Sequence, residues 1–262
     1  MKEILFALLV VTAIGLIAGV LLTLASHFFH VKEDEKVIAL RACLPGANCG
    51  ACGYAGCDEY AHALAKGGVK SNLCIPGADA VAAELAGILG VAAEDVVEMV
   101  AVVQCNGTCQ ATSKKAIYSG VDSCKAASQL YGGPGACSYG CLGCGDCAAV
   151  CPSEAICVKD GIARIDRRVC TGCGLCAKTC PKGIIELMPA VSKVANLCSN
   201  RDKGAVARKV CTNACIACKK CEKNCPENAI TVVNNLAVID YDKCSGCGAC
   251  VEGCPTHCLH NL

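Results

Sequence analysis

Tryptophan is absent from this 262-residue chain, and six tyrosines with three phenylalanines are its only aromatics. A core filled by stacked aromatic rings is therefore excluded, and the stability of the fold must come from elsewhere. Charge of one sign is equally scarce: 24 Lys and Arg against 23 Asp and Glu leave a formal net charge of +1. That supplies no excess of basic residues for a nucleic-acid partner. Missing too is a G-x-G-x-x-G turn placed after a strand, so no nicotinamide or flavin nucleotide site is legible and no catalytic residue is assigned.

What the chain has is cysteine, 29 residues of it. Sixteen fall into one eight-cysteine pattern that occurs twice. The first copy is Cys141, Cys144, Cys147, Cys151-Pro152 and Cys170, Cys173, Cys176, Cys180-Pro181; the second is Cys215, Cys218, Cys221, Cys225-Pro226 and Cys244, Cys247, Cys250, Cys254-Pro255. Every member of the second copy lies 74 residues after its counterpart, so the pattern is an internal duplication. Each half reads C-x2-C-x2-C-x3-C-P, the ligand run of bacterial [4Fe–4S] ferredoxins. A disulfide framework has no use for that spacing. A zinc-bearing structural protein is the other competitor, but a zinc knuckle uses C-x2-C pairs without a third cysteine two residues on. Because a thiolate-held cluster carries about −2, five of them make the loaded chain clearly acidic despite its formal charge.

In a dicluster ferredoxin the runs cross, and the cysteine before proline ligates the other run's cluster. One set is then Cys141, Cys144, Cys147 with Cys180, and a second is Cys170, Cys173, Cys176 with Cys151. The later module gives Cys215, Cys218, Cys221 with Cys254, and Cys244, Cys247, Cys250 with Cys225. Between the runs, residues 156–166 and 230–240 read as strand, turn, strand, with Asp160-Gly161 and Asn234-Asn235 at the turns. Short helices are expected after the Cys-Pro turns. So small a fold has little apolar core, and cluster binding should supply much of its stability.

Upstream, Cys49, Cys52, Cys57 and Cys74 are spaced C-x2-C-x4-C-x16-C, with Gly50, Gly53 and Gly56 freeing the backbone to wrap closely. The segment DEYAHALAK after Cys57 predicts a helix ended by Gly67-Gly68, with His62 on its surface or in its packing. Residues 79–103 predict two short helices that break near Gly87 and Gly90. Nine cysteines stand outside the five sets: 43, 105, 109, 124, 137, 157, 198, 211 and 258. Cys124 and Cys137 match Cys198 and Cys211 at the 74-residue offset. A sixth cluster on Cys105, Cys109, Cys124 and Cys137, or on another subset, stays open beside their being reduced structural thiols.

Ile4 to Ala25 is an uncharged apolar run long enough to cross a bilayer, with Gly15 and Gly19 spaced for a close helix approach. A cleaved signal peptide fits less well, since no A-x-A site precedes the polar stretch. Lys32, Lys36 and Arg41 after the run, against Lys2 before it, mildly favour the cluster-bearing side as cytoplasmic. His27 and His30 read as interfacial surface residues.

The expected class is α+β: a single N-terminal transmembrane helix, a small helical [4Fe–4S] module and two tandem dicluster ferredoxin-like modules. Boundaries are expected at 1–26 for the anchor, 27–42 for a linker and 43–78 for the single-cluster module. A helical connector over 79–131 and ferredoxin modules over 132–190 and 191–262 complete the chain. This order, with CGACGYAGCDEYAHALAKG at 49–67 and GGPGACSYGCLGCGDCAAVCP at 132–152, resembles the B subunit of the Rnf complex, the ion-translocating ferredoxin:NAD+ oxidoreductase. The resemblance covers essentially the whole chain. In many members of that family an apolar or aromatic residue stands where this chain has Cys144, which leaves Cys137 open as its alternative.

The resemblance implies at least five [4Fe–4S] clusters, reduced ferredoxin as electron donor, the other subunits of the membrane complex as partners, and a single-pass place in the cell membrane. Ion pumping and hydride transfer would belong to other subunits. Chain order places electron input in the C-terminal modules and output at the 49–74 module, nearest the anchor. A ferredoxin-like subunit of a different membrane hydrogenase or dehydrogenase is the alternative within the same chemistry.

Overall fold

A computed structural model describes residues 2–28 and 34–262, so His30, Lys32 and Glu33 lie outside the described residues. Helix α1 runs over Lys2–Phe28. Its apolar stretch Ile4–Ala25, 22 residues of mean hydropathy 2.9, is unburied among the described residues. The hydroxyl of Thr12 donates to Leu8 O at 2.9 Å and that of Thr23 to Gly19 O at 2.8 Å. Both polar side chains are thus satisfied within the helix, as lipid would require.

Three helices build the next unit: α2 (Glu35–Cys43), α3 (Cys57–Lys66) and α4 (Ala78–Leu89). Asp34 caps α2 by accepting from Lys36 N at 2.9 Å. Helix α3 carries Asp58 and Glu59 in its first turn and Lys66 in its last, the arrangement a helix dipole favours. It buries Cys57, Tyr60, Ala61 and Leu64, one stripe at i, i+3, i+4 and i+7. These meet Val37, Leu40, Leu44 and Leu85 in a small core. Tyr60 is the one large ring inside it; its hydroxyl donates to Lys70 O at 2.7 Å.

Only one helix, α4, occupies the region where two were expected, and it stops at Gly90 in the left-handed conformation (φ +70°). Residues Met99–Val103 form strand β1 instead. The short apolar run MVAVV fits either state by itself, and long-range pairing decides it. Helix α5 spans Cys124–Gln129 and a short α6 spans Asp146–Ala149.

Each ferredoxin-like module holds a hairpin: β2 (Ile156–Lys159) with β3 (Ile162–Ile165), and β6 (Ile230–Val233) with β7 (Leu236–Ile239). Register is equivalent in the two, Ile156 opposite Ile165 and Ile230 opposite Ile239. Both two-residue turns have positive φ throughout, +54° and +79° at Asp160-Gly161 and +50° and +63° at Asn234-Asn235. That is the turn whose twist suits a hairpin. The modules are completed by α7 (Leu175–Thr179), β4 (Ile185–Pro189), β5 (Val194–Asn196), α8 (Gly204–Val210), α9 (Lys220–Asn224), α10 (Ala249–Glu252) and β8 (Leu259–Asn261). Strand β4 pairs with β1 and β8 with β5, both antiparallel. Each module thus closes on a strand from the segment preceding its ligand runs.

The short helices α6, α7, α9 and α10 precede the Cys-Pro pairs, whereas the sequence predicts helices after them. A C-x3-C spacing is one helical turn, so the third ligand sits inside the turn and the fourth just beyond it. Proline then forbids continuation and pushes the residue before it to extended backbone. Cys180 (φ −70°, ψ 112°) and Cys225 (φ −79°, ψ 114°) take that conformation. The fourth sulfur therefore leaves its own run and faces the other one.

The third and fifth residues of each run wind left-handed, including Gly143 and Gly145, Gly172 and Gly174, Ala217 and Lys219. Gly172 (φ +65°) additionally presses on the carbonyl of Met99, where a Cβ would overlap it. Gly172→Ala therefore combines left-handed strain of about 1–2 kcal/mol with a backbone clash between the second run and β1. Its expected result is a thermal midpoint lowered by several degrees in anaerobic melts of the intact chain, with Gly183→Ala, which meets no neighbour, losing less.

Candidate electron-transfer centres

The structure gathers the crossing sets from distant parts of the chain. Burial pushes the thiol of Cys176 up to about 11, and the sulfurs of Cys170, Cys173 and Cys151 around it push the same way. Cys221 is raised to about 11 by burial, with Cys215, Cys218 and Cys254 adding to it. Burial also raises Cys250, beside Cys244, Cys225 and Cys247. In the N-terminal unit, burial takes Cys74 to about 11 with Cys57, Cys49 and Cys52 as its neighbours. Thiols gathered this closely repel one another once ionised, and a cationic centre that takes all four as thiolates offsets that repulsion.

Around the remaining set the structure brings in a further cysteine, Cys124. A cavity of about 350 Å³, mouth included, is lined by Cys124, Cys141, Cys147 and Cys180. Burial pushes Cys147 up to about 12, and the sulfurs that add to it are Cys141, Cys124 and Cys180. Cys144 is not among the residues lining this cavity; its thiol donates to Leu142 O at 3.8 Å, with Cys124 close enough to push its pKa up. Cys124 gets there because Asp146 anchors the start of α5, accepting from Cys124 N at 2.9 Å and from Lys125 N at 3.0 Å. Cys137, the alternative to Cys144, lines a different cavity.

In the second module the corresponding cavity of about 310 Å³ is lined by Cys215, Cys218, Cys221 and Cys254, and also by Cys258. Cys258 keeps its proton between Cys215 and Cys254, its sulfur 3.5 Å from that of Cys254. Sequence reasoning leaves Cys258 unassigned; the signal available is its place where the first repeat has Ile184, which lines the first module's cavity.

The donor sets suit clusters of iron and sulfide. Backbone N–H groups aim at the sulfurs: Ala163 N at Cys141 (3.5 Å), Ala101 N at Cys170 (3.4 Å) and Ala229 N at Cys225 (3.3 Å). Such donors stabilise thiolate charge and set cluster potentials.

Of the other unassigned thiols, Cys109 and Cys157 are exposed, and Cys43 donates to Ala39 O within α2. His62 lies on the exposed side of α3. The units also touch. Lys178 Nζ on α7 donates to Cys49 O at 2.6 Å, joining the 49–74 set to the helix that carries Cys176. At the other end Cys218 and Cys247 are exposed, as are Lys219, Lys220 and Lys223 close to Cys218 in sequence, with Lys219 Nζ 3.9 Å from Glu222.

Three family models match parts of the chain. Residues 44–76 match a family described as "Putative Fe-S cluster". Residues 140–184 and 214–258 each match a 4Fe-4S dicluster domain, and 169–229 match a second family of that description. The chain is 45% identical to the B subunit of the Na(+)-translocating ferredoxin:NAD(+) oxidoreductase complex of Acetobacterium woodii, over 94% of this chain and 74% of that protein. It is 43% identical to the B subunit of the proton-translocating ferredoxin:NAD(+) oxidoreductase complex of Clostridium ljungdahlii, over 98% and 92%. With the B subunit of the ion-translocating oxidoreductase complex of Methanosarcina acetivorans it shares 38% identity over 94% of each chain.

Proposed function

Because the chain belongs to the B-subunit family of ion-translocating ferredoxin:NAD+ oxidoreductase complexes, we propose that it takes electrons from reduced ferredoxin at its C-terminal module and delivers them beside the membrane. It is an iron–sulfur electron-transfer subunit with multiple [4Fe–4S] clusters. The observation that carries the finer reading is the crossing of the ligand runs. Cys151, Cys225 and Cys254 each sit among the first three cysteines of the other run, and Cys180 sits with Cys141 and Cys147 of the other run and with Cys124.

Five sets would hold clusters: Cys49, Cys52, Cys57 and Cys74; Cys124, Cys141, Cys147 and Cys180; Cys151, Cys170, Cys173 and Cys176; Cys215, Cys218, Cys221 and Cys254; Cys225, Cys244, Cys247 and Cys250. A bound cluster stores one electron at a potential its surroundings set. The chain's own groups do the rest. Thiols release their protons on loading, backbone N–H groups hold the sulfur charge, and burial keeps water from most of each set.

At the exposed Cys218, Lys219, Lys220 and Lys223 offer a positive rim to an acidic donor protein. Replacing all three with Glu is expected to slow reduction by ferredoxin about tenfold or more at low salt, the difference shrinking as ionic strength rises. Stopped-flow reduction of the holoprotein reads it, and a salt-independent or absent change removes this face as the docking site.

Helix α1 supplies the membrane anchor, with the clusters on the cytoplasmic side. Ion pumping and hydride transfer fall to partner subunits. Relatives of this chain are named for sodium and for protons, and nothing in its own residues selects between the two ions. Carbonate washing of membranes that express the whole chain should leave it in the pellet; release into the supernatant removes the anchor.

A further inference from the structure

Four cysteines outside the five sets meet where the two ferredoxin-like modules join. Cys105, Cys137, Cys198 and Cys211 line one cavity of about 440 Å³, mouth included, together with Cys141 of the neighbouring set; the spaces of two of the proposed cluster sites are roughly 350 and 310 Å³. We propose that these four thiolates hold a further [4Fe–4S] cluster that bridges the two modules.

The site is built with approximate two-fold symmetry. Cys105 follows the end of β1 by two residues and Cys198 follows the end of β5 by two. These strands hold the same place, each paired with the last strand of its module. Cys137 and Cys211 each stand four residues before the first ligand of their module and accept equivalent turns, Gly140 N to Cys137 O at 3.2 Å and Ala214 N to Cys211 O at 3.3 Å. Each module thus contributes one thiol from a strand end and one from the turn before its ligand run.

Donors surround these sulfurs as they do those of the other sets. Gly107 N donates to Cys105 S at 3.4 Å, and the Asn200 side chain to Cys137 S at 3.5 Å. The remaining contacts reach into both modules: Cys141 N donates to Cys105 S at 3.4 Å and Cys215 N to Cys198 S at 3.3 Å. Cys141 and Cys215 are themselves proposed ligands, one in each module. The cavity therefore abuts a proposed cluster on either side. A Cβ built on Gly107 would lie 3.5 Å from the sulfurs of both Cys105 and Cys211, which places this residue between two of the four.

A centre here gives electrons a route between modules that otherwise meet only through protein. One electron passes in from one module and out to the other; no bond forms or breaks and no proton is needed. This set corrects the sequence-level candidate of Cys105, Cys109, Cys124 and Cys137. Cys109 is exposed, and Cys124 belongs to the neighbouring cavity.

The inference rests on the adjacent sets carrying clusters, and counting separates the two. The whole chain, purified without oxygen, should hold about 24 irons and as many labile sulfides, against about 20 without this site. Cys105→Ala, Cys137→Ala, Cys198→Ala and Cys211→Ala should each lose the same four irons, and the quadruple variant no more than any single one. Cys43→Ala should lose none. Wild type at about 20 irons, with or without one zinc, overturns the bridging cluster and leaves the five-set reading standing, and needs no variant to fold. Wild type near 24 irons that ferredoxin fails to reduce supports the site and sinks the donor assignment instead.

Discussion

Cys52→Ala is expected to abolish electron delivery to the membrane partner while ferredoxin still reduces the clusters of the two C-terminal modules. Position in the chain of contacts is the cause. Cys52 belongs to the set closest in sequence to α1, and that set reaches the rest of the protein through Lys178 on α7 and through Ile75, which packs near Gly172 in the second ligand run. It is thus terminal in the sequence of contacts. Removing one of four ligands costs that centre its iron, and no alternative route through the described contacts bypasses it. Low-temperature EPR of the variant mixed with reduced ferredoxin should show reduced distal clusters beside a partner complex that stays oxidised. Distal clusters that remain oxidised as well would reverse the proposed direction.

The second large effect separates crossing from local ligation. Cys151→Ala should remove the cluster associated with Cys170, Cys173 and Cys176, although Cys151 belongs to the run of Cys141. About four irons should go, and the lost EPR signal should match that of Cys173→Ala rather than that of Cys147→Ala. The same comparison tests the proposed place of Cys124 in the first set. Cys124→Ala should match Cys147→Ala in iron loss, whereas Cys144→Ala should retain its iron, because Cys124 lines the cavity and Cys144 does not. Iron loss in Cys144→Ala with none in Cys124→Ala would restore the simple motif. Serine is unsuitable here, since its oxygen can itself ligate iron.

Much of this architecture is legible in the amino-acid order. The hairpins follow from β-branched runs around Asp160-Gly161 and Asn234-Asn235, whose turn chemistry is local. The crossing follows from proline after the fourth cysteine, also a local constraint. What escapes depends on long-range pairing. Met99–Val103 is a strand only because β4 lies beside it. That strand in turn decides which cysteine in the first module plays the part of Cys198. The 74-residue offset in sequence points to Cys124, but the structural equivalent is Cys105, 93 residues before Cys198. A repeat measured along the chain misses it because the first module borrows its closing strand from farther upstream. Cys124, released from that part, lines the cavity of Cys141.

Central to all of this is that the thiols hold iron and sulfide rather than lone ions. The direct measurement is the iron, acid-labile sulfide and zinc content of the full-length chain prepared under strict anaerobiosis. The expected result is a brown protein with at least about 20 irons, matching sulfide and no stoichiometric zinc. A folded, colourless chain carrying zinc and no labile sulfide would contradict it.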